Sequence, residues 1–309
     1  MAADFFISVI LAEWEYISKI GSQFSRLREI EILTHRTSTN PNPKYNFAKD
    51  FYKFPSYLYF AYEEEVKVNE KEIMKQIILG VDLGINNDCV CSAMTSDGTV
   101  IGRKFLDLSR EKDCLKHALN RIKKAQQHGA KKTPRLWARA KGINTNIANL
   151  TAQFIVDTAI FYNADVVIFE HLDLKGKKRG KKKQKLHHWK SLAVQEIAAC
   201  KMHRLGKRIS RICAWGTSKL AYDGSGEVER GEKNYSMCKF KSGKKYHCDL
   251  SASYNIGARY FIREILKSLP VMLRLSIEAK VPQCIKRTTC TLSTLISLNA
   301  ELTASAVKL

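Results

Sequence analysis

Apolar residues form three short segments in the first half of the chain. Residues 77–83 are a continuous apolar run of strand length, and residues 88–95 and 99–105 flank a Ser-Asp-Gly turn signal at residues 96–98. Alternation with period two is typical of half-buried strands, and a short turn with Gly is typical of hairpins. The pattern predicts a three-stranded antiparallel meander.

The hydrophobic period then changes to that of helices. Apolar residues recur at spacings of three and four over residues 115–125 and 147–161, which favours two helices. Four further elements are predicted in chain order, namely a strand at 165–170, a helix at about 187–205, a strand at 208–213 and a helix at 249–268. Strands that alternate with helices after a meander predict an α/β fold, one mixed sheet with helices on both faces.

The remaining segments set the expected domain boundaries. The sheet-forming unit is predicted in two parts, residues 77–215 and 249–270, because an insertion rich in Gly, Ser, Lys and Tyr separates them. A turn signal at residues 241–244 predicts a small β-hairpin in this insertion, which spans 216–248. Two flanking segments remain. In residues 1–76 the pattern of apolar and polar positions is hard to interpret, and residues 271–309 form a C-terminal tail that we expect to be weakly structured and partly apolar.

The composition excludes several classes of protein. A chain of 309 residues that is 45% hydrophobic can bury a substantial core,. No apolar run reaches the roughly 18 residues of a bilayer-spanning helix, and the apolar run near the start follows Asp4 rather than a basic segment. We therefore expect a cytoplasmic protein with no membrane partner. Nine scattered cysteines, an odd number, favour reduced thiols.

The net charge of +22 is concentrated in two stretches. Residues 171–211 contain fourteen Lys or Arg against two acids, and residues 119–141 contain eight and no acid. Such a field attracts a polyanion, and nucleic acid is the expected partner. A solvated lysine loop is the alternative for residues 175–185. An acidic membrane surface is disfavoured because no strongly apolar face accompanies the run.

We expect the basic residues of both stretches to contact phosphates, which fix position rather than sequence. In the second stretch, Trp137 could stack on a base or simply pack between helices. The candidate nucleic-acid-binding residues are Lys175, Lys177, Lys178, Arg179, Lys181, Lys182, Lys183 and Lys185 in the first stretch, and Lys131, Lys132, Arg135 and Arg139 in the second.

Three acids stand where a predicted strand ends or a predicted helix begins: Asp82, Glu170 and Asp249. A carboxylate in an apolar strand is costly to bury without a partner. If the first and fourth strands are neighbours, Asp82 and Glu170 converge, and a helix start can bring Asp249 to them. Oxygen ligands suit Mg²⁺ or Mn²⁺, and two such ions about 3.5–4 Å apart can drive in-line attack on a phosphodiester.

Each acid also has a simpler interpretation. Asp249 could be a helix N-cap, Glu170 could pair with the adjacent basic run, and Asp82 could serve the tight turn at Gly84. Only the three acids together favour a nuclease.

The segments that carry these acids resemble a known family. GVDLGINN, VVIFEHLD and CDLSASYNIGARY resemble the three RuvC motifs of TnpB (OrfB), transposon-encoded relatives of type V CRISPR effectors. SDGTVIGRKF, KKTPRLWARA, HHWK and AWGTSKLAYDGSG are similar to the family as well, so that the resemblance covers roughly residues 42–309. It implies an RNase H-like (RuvC) fold with Asp82, Glu170 and Asp249 as catalytic residues and Mg²⁺ ligands.

The resemblance also implies partners. These are a guide RNA transcribed from the transposon end and a double-stranded DNA target, whose sequence is read by base pairing with the guide. The preferred function is therefore a transposon-associated RNA-guided DNA endonuclease with a two-metal RuvC mechanism, acting in transposition and DNA recombination. Two alternatives stay open: a truncated copy that binds nucleic acid without cleaving it, and a guide-independent, structure-selective nuclease.

Two departures from the family pattern bear on these expectations. Family members often carry a zinc ribbon with two C-x-x-C pairs in the insertion, whereas this insertion contains only Cys238 and Cys248. Four ligands at ribbon spacing are missing, so structural zinc is disfavoured and the ribbon is expected to be degenerate. In addition, only 81 residues precede Asp82, which makes residues 1–76 a shortened remnant of the family's N-terminal wedge and recognition region.

Overall fold

A computed structural model describes the backbone of residues 31–32 and 60–61, and residues 66–68, 70–84, 89–171, 191–231 and 236–306. The chain divides into two units, Met1–Glu65 and Val66–Leu309. In the first unit, strands β1 (Glu31–Ile32) and β2 (Phe60–Ala61) pair antiparallel.

The second unit contains a five-stranded mixed sheet. Its strands are β3 (Ile77–Asp82), β4 (Cys89–Thr95), β5 (Val100–Leu106), β6 (Val166–His171) and β7 (Arg208–Cys213). They lie in the order β5-β4-β3-β6-β7, with β3, β4 and β5 antiparallel and β3, β6 and β7 parallel. The predicted meander is confirmed, and the first and fourth strands, β3 and β6, are neighbours, which is the condition for Asp82 and Glu170 to converge.

Helices cover both faces of this sheet, as the alternation of strands and helices predicts. The described helices are α1 (Ser109–Gln127), α2 (Pro134–Phe161), α3 (Ser191–Arg204), α4 (Cys248–Ser268), α5 (Val271–Lys280) and α6 (Leu292–Ala306). The helix predicted from about residue 187 is described from Ser191 onward. Within the described part of the chain, no helix is both long enough and apolar enough to cross a bilayer.

Successive strand residues supply two separate cores, because side chains alternate between the two faces of a sheet. Ile78, Val90 and Ile168 pack with α4 and α6 on one face. Leu79, Cys91 and Val167 and their neighbours pack with α2 and α3 on the other. Helix α4 therefore lies on the face that also carries the even-numbered residues of β3.

The insertion before α4 forms a small sheet of its own. Strands β8 (Glu229–Arg230), β9 (Met237–Lys239) and β10 (Lys245–His247) pair antiparallel in the order β10-β9-β8. The turn between β9 and β10 contains Gly243 with φ of +85°, so the hairpin predicted at residues 241–244 is confirmed.

The C-terminal region differs from its expected weak structure. Residues 271–280 and 292–306 are helical, and Leu295 and Leu298 of α6 are fully buried against the core that contains α4. Leu292, Leu295 and Leu298 recur at a spacing of three and form a single apolar stripe,. The expectation of weak structure is wrong because this apolar stripe is short and packs against α4, which precedes it in the chain, rather than against its immediate neighbours.

Candidate active site

Asp82 and Glu170 lie at the ends of neighbouring parallel strands. Gly80 of β3 is in register with Ile168 of β6, and each acid follows two residues later on its own strand. Residues two apart in a strand point to the same face. The two carboxylates therefore extend from adjacent strand ends on the face that α4 covers.

Helix α4 brings Asp249 to the same end of β3. A methyl group on Gly80 would lie 2.5 Å from the carbonyl oxygen of Ser253, and one on Gly257 would lie 3.2 Å from the side chain of Ile78. The four-residue helix steps from Asp249 to Ser253 to Gly257 rise about 6 Å each, which matches two-residue strand steps of about 6.7 Å. Helix and strand thus run side by side in opposite directions, and Asp249 lies beside the end of β3.

The ionisation of Asp82 reports the same convergence. Its side chain is 9% exposed. Burial, first, and then the negative charges of Glu170 and Asp249 raise its pKa well above the ordinary carboxyl value, while Arg230 of β8 opposes this shift. The three acids predicted as catalytic residues therefore share one electrostatic environment.

The position of Asp249 excludes one of its simpler interpretations. Helix α4 begins at Cys248, its N-cap residue is His247, and no side chain caps it. Asp249 lies inside the first turn and is not the N-cap. The alternative that Glu170 pairs with the basic run at residues 175–185 concerns residues outside the described part of the chain.

Glu170 has two partners that sequence patterns did not indicate. The hydroxyl of Thr217 donates a hydrogen bond to its Oε1, and the buried cation of Arg259 lies close enough to favour its ionised form. Burial nevertheless dominates and raises the pKa of Glu170 above its ordinary value, with Thr217 and Arg259 acting in the opposite direction.

Two side chains of α4 hold the loop that carries Thr217. Asn255 donates to the carbonyl oxygens of Thr217 and Leu220 at 3.0 and 2.9 Å. Arg259, which is 4% exposed, donates to four backbone carbonyls, namely those of Cys213, Trp215, Thr288 and Cys290. The same helix therefore positions one acid directly and another through this loop.

The donor chemistry of this cluster fits a hard divalent cation, because three carboxylates supply oxygen ligands and negative charge. Burial and the two neighbouring acids raise the pKa of Asp82 more than Arg230 lowers it, so a bound cation would favour the ionised carboxylate. As placed, however, the side chains do not form a complete ligand set: among the described residues no three His, Cys, Asp or Glu side chains are grouped to hold a metal ion. Metal binding by these acids stays a prediction.

Cys238 and Cys248 lie together in the small core of the insertion, with Ala221 and Phe240. Burial, with a hydrogen bond between the two thiols, raises the pKa of Cys238 to about 12. This environment therefore favours the protonated thiol of Cys238, whereas a zinc ligand must be a thiolate. All nine cysteines lie in the described residues, and none of them forms a disulfide.

The basic candidates divide into two groups. Lys131, Lys132, Arg135 and Arg139 are exposed around the start of α2, whose later turns pack on the sheet face opposite α4. The group from Lys175 to Lys185 lies outside the described residues. Trp137 is 43% exposed, and both of its interpretations stay open.

Comparison with known proteins gives a match to a short N-terminal part of the chain and to several solved structures. The family described as Aq_aa04 matches residues 1–62, a range that contains neither the five-stranded sheet nor the three acids. No curated protein matches the chain.

Three solved structures illustrate the structural likeness. A Cas12f1–sgRNA–target DNA complex is 19% identical over 61% of this chain and 51% of that chain, with a TM-score of 0.48. A CRISPR-Cas12f ternary complex is 18% identical over 64% of this chain and 41% of that chain, with a TM-score of 0.43. CasPhi-2 (Cas12j) bound to crRNA is 12% identical over 64% of this chain and 51% of that chain, with a TM-score of 0.39. The chain spans about half the length of these proteins or less, and at these values the likeness concerns the fold alone.

Proposed function

We propose that this protein cleaves phosphodiester bonds of nucleic acid at the cluster of Asp82, Glu170 and Asp249. The observation that carries the proposal is the close packing of α4 on β3 at Gly80 and Ser253, because it brings the third acid to the strand ends that carry the first two. A buried acid whose pKa is raised by burial and by neighbouring acids, as that of Asp82 is, costs stability when it ionises, and such groups are common at catalytic sites.

In this proposal the three carboxylates would hold Mg²⁺ or Mn²⁺. When bound, such ions lower the pKa of water and stabilise charge on the phosphate oxygens. The chain's own residues prepare the site: the Thr217 hydroxyl fixes one oxygen of Glu170, and Arg259 holds the surrounding loop while its charge favours an ionised Glu170.

The more specific form of the proposal is an RNA-guided DNA endonuclease of the TnpB type. Two features support it: the three RuvC-like motifs in the family's order, and a net charge of +22 that suits a polyanionic partner,. Its partners would be a guide RNA transcribed from a transposon end and a double-stranded DNA target, and its role would belong to transposition.

The test uses the full chain purified with its neighbouring transcript, followed by sequencing of the bound RNA and cleavage of a guide-matched plasmid with Mg²⁺ or with EDTA. We expect Mg²⁺-dependent cleavage that Asp82→Ala abolishes while nucleic-acid binding is retained. Asp157→Ala, which removes an exposed carboxylate of α2, is the matched control and should cleave normally. Cleavage by Asp82→Ala at the wild-type rate would refute the assignment.

A second candidate, a binding protein that does not cleave, is favoured by one observation: the described acids are not grouped as a complete metal site. It predicts tight nucleic-acid binding with no cleavage in any divalent metal. A guide-independent nuclease would instead cleave without co-purified RNA.

A further inference from the structure

An exposed aromatic ring lies in the same row of the sheet as Asp82. Phe105 of β5 is directly opposite Val90 of β4, and Val90 is directly opposite Asp82 of β3. Directly opposed residues share a face of the sheet. Because neighbouring strands are about 4.8 Å apart, Phe105 and Asp82 are separated by about 10 Å along this row.

The ring of Phe105 is open to solvent because β5 is an edge strand. Its side chain is 50% exposed, and the ring of His247 packs against it in an edge-on arrangement, with centroids 5.5 Å apart and an interplanar angle of 76°. His247 ends β10 two residues before Asp249. The aromatic pair therefore lies between the edge of the sheet and the beginning of the helix that carries the third acid.

Cations flank this aromatic pair. Arg103 precedes Phe105 by two residues on the same face of β5, and its Nη1 donates to the hydroxyls of Tyr246 and Tyr254 at 3.3 and 3.2 Å, which fixes the position of the guanidinium. Lys245 is exposed on β10, two residues before His247. A planar apolar surface between positive charges is complementary to a nucleobase between phosphates.

We propose that Phe105, held at its edge by His247, is a stacking site for an unpaired nucleobase of the strand that is cut. This inference rests on the proposed function, since it places a phosphate of the same strand at the three acids. A distance of about 10 Å corresponds to at most about three nucleotide steps, at 3.4 Å or more per step. An aromatic ring can stack on a base only where the adjacent base has moved away, and bases are most readily unstacked in a single strand.

The test separates base stacking from charge by comparing two probes in EDTA, where no cleavage occurs. One probe is a short oligothymidine single strand, and the other is an abasic strand with the same number of phosphates. For the wild-type full chain we expect tighter binding of the base-containing strand. Phe105→Ala should weaken binding of that strand by about 5- to 150-fold and leave binding of the abasic strand unchanged.

Three further variants make the result specific. Phe105→Leu keeps an apolar side chain of similar size and should lose discrimination like the Ala variant, whereas Phe105→Tyr keeps the ring and should retain it. Phe161→Ala is the matched control, because Phe161 is also an exposed ring, at 68%, but lies on the other face of the sheet. The centroid of its ring is 3.8 Å from the Nζ of Lys104, and Lys104 points to the opposite face of β5 from Phe105. This variant should discriminate like the wild type.

The outcomes distinguish this inference from the proposed function. Discrimination between the two probes that depends on Phe105 supports the stacking site, whether or not the wild-type protein cleaves a substrate. Absence of cleavage by the wild-type protein in Mg²⁺ would refute the nuclease proposal alone. Equal binding of the two probes by the wild type overturns the stacking site, as does undiminished discrimination in both the Ala and Leu variants. A loss in Phe161→Ala as large as in Phe105→Ala also overturns it.

Discussion

The backbone of β3 at Gly80 is in direct contact with the backbone of α4 at Ser253. A Cβ atom on Gly80 would lie 2.5 Å from the Ser253 carbonyl oxygen and 3.2 Å from the Gly257 nitrogen. Both neighbours are main-chain atoms of a buried helix, so neither can move away cheaply. This contact sets the distance between the strand that carries Asp82 and the helix that carries Asp249.

We therefore expect Gly80→Ala to impair both stability and cleavage. Overpacking of a buried site costs about 1–3 kcal/mol, and relief of the clash would displace α4 and with it Asp249. Urea unfolding measures the first effect, and Mg²⁺-dependent plasmid cleavage measures the second.

Gly142→Ala is the control for this substitution. Gly142 is exposed in α2, and a Cβ there would meet no atom within 4 Å. Alanine should therefore stabilise the helix by about 0.5–1 kcal/mol. If Gly80→Ala were as stable and as active as Gly142→Ala, the close contact between β3 and α4 would not be what positions the site.

Arg259 is expected to be the most important buried polar residue of α4. Its replacement by Met would leave four backbone carbonyls without their donor, at a cost of at least about 3 kcal/mol. Chemical unfolding measures this directly. Arg274→Met, which removes a pair between an exposed guanidinium and the half-buried Glu278, should change stability by no more than about 1 kcal/mol, and a similar loss in both variants would contradict the proposed role of Arg259.

The sequence predicts the sheet well because its signals are local. The apolar run of β3, the alternation of β4 and β5 and the Ser-Asp-Gly turn each depend on neighbouring residues. The adjacency of the strands that carry Asp82 and Glu170 is a long-range contact, which the structure shows. The approach of Asp249 also has a sequence signal, since Ser253 and Gly257 follow it at four-residue spacing. Small residues at that spacing permit a close helix-to-strand contact.

What the sequence did not predict depends on contacts between distant segments. Thr217 meets Glu170 across 47 residues, and the main-chain partners of Arg259 come from segments on both sides of it. Such contacts have no periodicity, because they satisfy individual carbonyl and carboxylate oxygens rather than an apolar face. The helix at Leu292–Ala306 was missed for a related reason, since its short stripe of leucines is meaningful only with α4 beside it.

Thr217→Val tests the support of Glu170. Valine has nearly the shape of threonine but cannot donate the hydrogen bond to Oε1, so we expect a cleavage rate about tenfold lower, the usual scale for loss of about 1.4 kcal/mol of interaction. Nucleic-acid affinity should not change. Thr217→Ser keeps the hydroxyl and should recover most of the rate; equal defects in the Val and Ser variants would mean that packing, and not the hydrogen bond, matters.

Asp82→Asn is expected to stabilise the metal-free protein. Because burial and two neighbouring acids raise the pKa of Asp82 in the folded state, its ionised form costs folding free energy at neutral pH, and this cost disappears as the pH falls below the ordinary carboxyl range. In EDTA the Asn variant should therefore have the higher Tm, by about 2–4 °C for each kcal/mol relieved. The difference should narrow on acidification.

Added Mg²⁺ should reverse this order, because a cation bound by the folded state stabilises it by mass action and the Asn variant has lost one charged ligand. Thermal unfolding of both proteins with EDTA and with increasing Mg²⁺ measures the effect without any need for cleavage. A wild-type protein that is more stable than Asp82→Asn in EDTA at neutral pH would show that the carboxylate is already compensated within the chain. The cluster would then have no electrostatic requirement for a metal ion.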